Sequence, residues 1–133
     1  MVCIYCSAET QVINSRHQKK ANQVWRRRRC LSCRAVFTTN EVTDPTQALR
    51  IRRKTQLEPF SRDTMLLSIY DSLKHRKTAS SDASGLTATV MSMLYPLAVD
   101  TVLDREVVIE LVGQVLARFD KAAAVHYQAF HQI

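Results

Sequence analysis

Glycine is nearly missing from this chain: Gly85 and Gly113 are the only two in 133 residues. The phosphate-cradling loops GxGxxG and GxxxxGK need several glycines at fixed offsets, so both are absent. No run reaches the ~18 apolar residues of a membrane span, which excludes a spanning helix, and no membrane partner is expected. The start, Met1-Val2-Cys3-Ile4-Tyr5-Cys6, has no basic region followed by an apolar stretch, so a cytoplasmic location is expected. Nor does the sequence suggest a Ser/His/Asp constellation, an open metal site or a carboxylate pair. The expected class is therefore not an enzyme.

What is present is basic and globular. The chain is 46% hydrophobic and 23% charged, with a net charge of +7. Its length suits one domain or two small ones. Residues 1–45 hold eight Lys/Arg against three Asp/Glu, a net +5; residues 46–133 hold eleven against nine, a net +2. A basic block on so small a module favours a polyanionic partner.

The four cysteines fall as Cys3-x-x-Cys6 and Cys30-x-x-Cys33. Two intervening residues let one tight turn aim both sulfurs at one metal, and two such knuckles complete a tetrahedron of thiolates. In a reducing compartment this spacing reads as one structural zinc per chain rather than as disulfides. His17 lies between the knuckles and reads as a surface residue, since four ligands are already present.

Arg26-Arg27-Arg28-Arg29 runs directly into Cys30. An extended run alternates faces, so two arginines point each way. Arg16, Lys19 and Lys20 fall on a facing loop, and Trp25 can stack, wedge or cover the small core. These eight residues are the expected nucleic-acid contacts, because guanidinium groups bind phosphate bidentately and can read guanine edges; that the nucleic acid is DNA is what a resemblance given below implies. Arg34 adds a cation after the second knuckle.

The segments Gln11–Asn14, Val24–Arg26 and Ala35–Thr39 predict strands, with Arg16 to Gln23 as a polar loop. Thr43-Asp44-Pro45-Thr46 predicts a hinge. Leu49-Arg50-Ile51-Arg52 predicts a strand with one wet face, and Lys54-Thr55-Gln56 a turn. Ser61 predicts the N-cap of a first helix, with Phe60 and Met65 as its hydrophobic staple and Met65, Leu66, Ile69 and Leu73 as its buried stripe. Lys74, His75, Arg76 and Lys77 are expected in its last turn.

Thr78 to Gly85 reads as a polar loop. Leu86, Val90, Met93, Leu94 and Leu97 mark a second helix, disturbed near Pro96. Asp104 predicts the cap of a third, with Leu103 and Val108 as staple and a stripe of Val107, Val108, Leu111, Val112, Val115 and Phe119. A last helix from about Lys121 carries Val125, Ala129, Phe130 and Ile133.

With these residues laid out, the chain resembles the NrdR family of bacterial transcriptional repressors along nearly all its length. The most specific stretch is Trp25 to Glu41, which follows the family's Arg-rich run, CxxC and RFTTxE. Val12-Ile13-Asn14-Ser15-Arg16 is similar to V-x-D-S-R. Glu58-Pro59-Phe60-Ser61-Arg62 is similar to the E-P-F-D-R of an ATP-cone. Ile4, Ser7 and Arg34 stand where the family has a Pro and two Gly. The V-x-K-R-x-G opening of the cone appears as Arg50 to Thr55. Thr64 stands in place of a Lys, and Ala124 in place of a Tyr by the base.

The resemblance implies an α+β protein: a zinc-ribbon DNA-binding domain over 1–45, then a mostly helical ATP-cone-like regulatory and oligomerisation domain with a short β-hairpin over 46–133. It implies double-stranded operator DNA upstream of ribonucleotide reductase genes, ATP or dATP as regulatory ligand, and a homo-oligomer. It places the adenine nucleotide against Ile51, Arg52, Arg53, Phe60, Thr64 and Tyr127. Plainer readings stand beside these: Phe60 as a staple, Arg52 and Arg53 as surface charges, His126 and Tyr127 as the end of a helix. The alternative functions are an RNA-associated ribbon, and an oligomerising scaffold whose cone no longer takes nucleotide.

Overall fold

The computed structural model describes residues 1–131, so Ile133, expected on the last helix, lies outside the described residues. The chain divides into two compact units, the first Met1–Asp44 and the second from Pro45 onward. The first is all β and the second mostly helical with a short hairpin.

In the first unit β1 (Thr10–Gln18), β2 (Gln23–Cys30) and β3 (Val36–Val42) form an antiparallel meander in the order β1-β2-β3. Register shifts between Val12 and Asn14, leaving Ile13 as a bulge. The turn between β1 and β2 is a single 3-10 turn, Lys19–Ala21, closed by Asn22 in the left-handed region at φ 47°. The expected loop over Arg16–Gln23 is thus shorter than its polarity suggested: Arg16–Gln18 belong to β1 and Gln23 to β2. Polarity signals a loop only where a strand must bury one face, and here neither face is deeply buried. Cys3 and Cys30 are the only described residues of this unit in the buried class.

The second unit opens with the hairpin β4 (Arg50–Arg53) and β5 (Gln56–Pro59), turning at Lys54 and Thr55. β6 (Val102–Asp104) adds to β4 in parallel, giving the order β5-β4-β6. Four helices follow this sheet element or precede β6: α1 (Arg62–Leu73), α2 (Ala79–Leu94), α3 (Arg105–Phe119) and α4 (Lys121–Phe130). Ser61 caps α1 as expected, its hydroxyl accepting from Thr64 N at 3.1 Å. Phe60, Met65, Ile69 and Leu73 are buried, with Leu66 partly so. They join Leu49, Val90, Leu94, Leu103, Val112, Leu116 and Tyr127 in one core.

Several sequence expectations are corrected here. α1 stops at Leu73, so Lys74 to Lys77 lie past its end. Arg76 is drawn instead into ion pairs with Asp82 (2.9 Å) and Asp120 (3.1 Å), and its guanidinium sits 4.7 Å from the Phe119 ring centre. Thr78 to Gly85 is not a loop: α2 begins at Ala79, and Ala79 and Ala83 are buried. Small residues carry that packing, which a search for large apolar side chains passes over.

On α3, Ile109, Gly113 and Leu116 are buried while Val107 and Phe119 stay partly exposed. On α4 the residues that mark the helix in sequence face outward: Val125 is 68% and Phe130 74% exposed, and Ala129 is exposed too. Ala123, Ala124 and Tyr127 face the core. Asp120 sets this phase by capping α4, its Oδ1 accepting from Ala123 N at 3.0 Å. Asp104 holds the cap position of α3 without a capping bond; it pairs with Arg52 at 3.1 Å.

Asp120 therefore ties three helix ends together. The Ala123 amide, His75 and Arg76 hold its carboxyl at about 2, well below the usual carboxylate range. A depressed folded-state value gives stability that is present above the unfolded value, about 4, and is lost as pH falls. Wild-type protein is expected to lose stability more steeply than Asp120→Asn between pH about 4 and about 2. Denaturant titrations across that range measure the difference, and parallel pH profiles would remove Asp120 from the account.

Candidate functional site

The two knuckles are built alike. Cys3 N donates to Ala8 O (2.8 Å) and Cys30 N to Ala35 O (2.9 Å). Tyr5 N donates to Cys3 Sγ at 3.4 Å, and Ser32 N to Cys30 Sγ at 3.3 Å. The residue after each second cysteine is left-handed: Ser7 at φ 59° and Arg34 at φ 61°. Each turn thereby bends its sulfurs inward.

All four Sγ atoms lie within 4.8 Å of one another. Cys3 and Cys33 are 3.7 Å apart at sulfur, Cys6 and Cys30 3.4 Å. A tetrahedron with metal–sulfur bonds of ~2.3 Å has edges of about 3.8 Å, so the cluster fits one zinc. Burial pushes the Cys30 thiol up, but the Cys33 and Ser32 amides and the Cys6 sulfur outweigh it and bring it to about 6. The Ala35 amide pulls Cys33 down, but its sulfur neighbours Cys30 and Cys6 push it to about 12. Four crowded sulfurs cannot all ionise without a cation, and a divalent metal replaces their protons. Four thiolates leave no open position, so the centre is structural.

From this anchor β2 carries the arginines outward on alternate faces. Arg26 and Arg28 share the Cys30 side and are half-buried. Arg26 pairs with Glu41, and Arg28 Nε donates to Thr39 Oγ1 at 3.2 Å. Arg27 and Arg29 are exposed on the other side. Arg16 stands opposite Trp25 in the register, and directly opposed residues share a face. Arg16, Trp25, Arg27 and Arg29 therefore line one face. Among the described residues no carboxylate pairs with those three arginines. Lys19 and Lys20 sit in the turn at the ribbon end away from the cysteines. Of the eight expected contacts, four gather on one face, two cap the tip, and Arg26 and Arg28 are engaged on the opposite face.

The second unit contains a cleft of about 330 Å³, within the usual range of small-molecule sites. Ile51, Arg53, Phe60, Thr64 and Tyr127 all line it. Arg52 does not: alternation along β4 turns it away, and Asp104 holds it. Burial pushes the Tyr127 hydroxyl up to about 12, with the Arg105 charge opposing. The His131 ring stacks on Tyr127 at 4.1 Å. Its Nδ1 donates to the Tyr127 carbonyl (2.9 Å), and its Nε2 lies 3.0 Å from Ser68 Oγ.

Arg105 and His131 are lining residues that sequence reasoning missed. A signal existed for Arg105: it is a cation in the first turn of a helix, where the dipole disfavours positive charge.

Chelating the metal is expected to unfold the ribbon, because metal binding is worth ~10–16 kcal/mol in small zinc modules. Cys6→Ser should lose stoichiometric zinc by metal analysis. In both cases the helical far-UV signal should persist, since the second unit's core contains no ribbon residue. Ser7→Gly relieves a left-handed non-glycine residue and should stabilise the zinc-loaded ribbon by about 1 kcal/mol, read as greater resistance to chelator. Equal chelator sensitivity would show that the turn carries no strain.

Residues 1–41 match the protein family described as "Transcriptional repressor NrdR-like, N-terminal domain", a match that spans both knuckles, the arginine run and most of β3.

Proposed function

We propose that this chain is a zinc-dependent, DNA-binding transcriptional repressor that answers to an adenine nucleotide. The observation that carries the DNA reading is the ribbon face of Arg16, Arg27 and Arg29 beside Trp25, exposed and without carboxylate partners. Like charges held together on a strand repel one another unless an anion neutralises them. The DNA major groove admits a β-ribbon, and arginine reads guanine there bidentately. Lys19 and Lys20 at the tip add phosphate contacts, which position the protein without reading sequence.

The repressor role follows the matched family's description. Ribonucleotide reductase genes as targets follow the resemblance over the whole chain. The nucleotide reading is supported by the cleft, which offers Arg53 for phosphates and Ile51, Phe60 and Tyr127 as apolar walls. Self-association has a surface available: Leu67 and Phe130, 63% and 74% exposed, line one recess with His126.

Binding to the upstream region of a ribonucleotide reductase operon, compared with a scrambled duplex, tests the reading. Log affinity should fall with log salt by about 0.9 per phosphate neutralised. Arg27→Ala should cost ~1–3 kcal/mol and relax base choice. Arg26→Ala should cost less, because Glu41 already occupies that guanidinium. Equal affinity for operator and scrambled duplex would sink the sequence-specific reading.

A further inference from the structure

Arg105 is out of place by helix electrostatics. It opens α3, where the unpaired amides already concentrate positive charge. Among the described residues no carboxylate lies within ion-pair reach of it. Glu58, the single acid lining the cleft, pairs with neither Arg105 nor Arg53. A partly exposed cation at such a position, lining a cavity, is disfavoured by the helix dipole and gains from an anion that joins it.

The neighbouring strands explain how it is aimed. β4 and β6 run parallel with Arg52 opposite Asp104, and their side chains pair at 3.1 Å. Arg53 and Arg105 are the next residues along, and both line the cleft. One step of sequence thus separates a structural ion pair from two unpaired cations. The α1 wall supplies no cation at Thr64, whose hydroxyl donates to Ser61 Oγ at 2.9 Å. The Arg105 charge is also felt at Tyr127, which is 3% exposed and lines the same cleft.

We propose that Arg105 binds the phosphate chain of the cleft's ligand, so that a polyphosphate is gripped from two sides, by Arg53 of β4 and Arg105 of α3. This rests on the nucleotide reading of the cleft and adds to it a residue from a different element. Bound in that way, the ligand neutralises two cations at once and ties the hairpin to α3. The ligand class is a nucleoside triphosphate, whose phosphate chain can offer a separate group to each guanidinium.

Calorimetric titration of the zinc-loaded full chain with ATP, AMP and inorganic tripolyphosphate tests this. Arg105→Gln should weaken ATP and tripolyphosphate by about tenfold or more, the value of one charge-assisted contact, and AMP much less. Arg105→Lys should recover part of the loss and Arg105→Glu should deepen it. Arg118→Gln, at an exposed position on the last turn of α3, removes the same net charge and should bind as wild type. Unliganded Arg105→Gln should melt with the wild type or slightly above it, since a cation is lost from a helix N-terminus, and this separates lost contact from lost fold. If Arg53→Gln weakens ATP while Arg105→Gln and Arg105→Glu do not, the two-sided grip is wrong and the cleft reading stands. If wild type binds none of the three probes, the cleft reading fails and the grip falls with it.

Discussion

The N-terminal unit depends on four thiolates converging on one point. A three-stranded sheet normally needs an apolar face to be stable in water. This one buries only Cys3 and Cys30, and its strands are otherwise half-buried or exposed. A metal linking both knuckles supplies what the absent core does not. It also anchors β2 at Cys30, and the alternation running back from that residue sets which of the β2 arginines share a face. The positions of four guanidiniums thus follow from a coordination centre at one end of the strand.

Both units use neighbouring arginines in the same way. On β2, Arg26 is taken by Glu41 and Arg28 by Thr39, while Arg27 and Arg29 face outward. On β4, Arg52 is taken by Asp104 while Arg53 faces a cleft. Strand alternation puts neighbours on opposite faces, and cross-strand partners decide which face is held. One member of each pair knits the sheet and the other is left for an anion. Under the proposed function those anions are DNA phosphate in one unit and nucleotide phosphate in the other.

In the helical unit the cleft is framed by elements far apart in sequence. β4 and β5, the start of α1, the start of α3 and the end of α4 all contribute. Their arrangement depends on close approach at alanines and on Asp120, which caps α4 while holding His75 and Arg76. Proposed nucleotide sensing therefore has a physical route: a ligand in this cleft touches the hairpin and three helices at once.

The sequence by itself determined the metal centre, the α+β class, the Ser61 cap and the α1 stripe. Each is written in short-range spacing: two residues between cysteines, three to four between buried helix positions. Through a resemblance it also named Ile51, Arg53, Phe60, Thr64 and Tyr127, which line one cleft, and Arg52, which does not. Only the tertiary structure decided the rest. It placed Thr78–Gly85 in α2 and turned α4 so that Ala123, Ala124 and Tyr127 face inward, because small residues pack helices closely without marking themselves as apolar. It gave Arg16–Gln18 to a strand, because a sheet with no buried face needs no apolar alternation. It decided which arginines are held by cross-strand partners, and brought Arg105 and Arg53 to one cleft. The division of the arginines depends on cross-strand register and on ion pairs between residues distant in sequence, which local sequence does not specify.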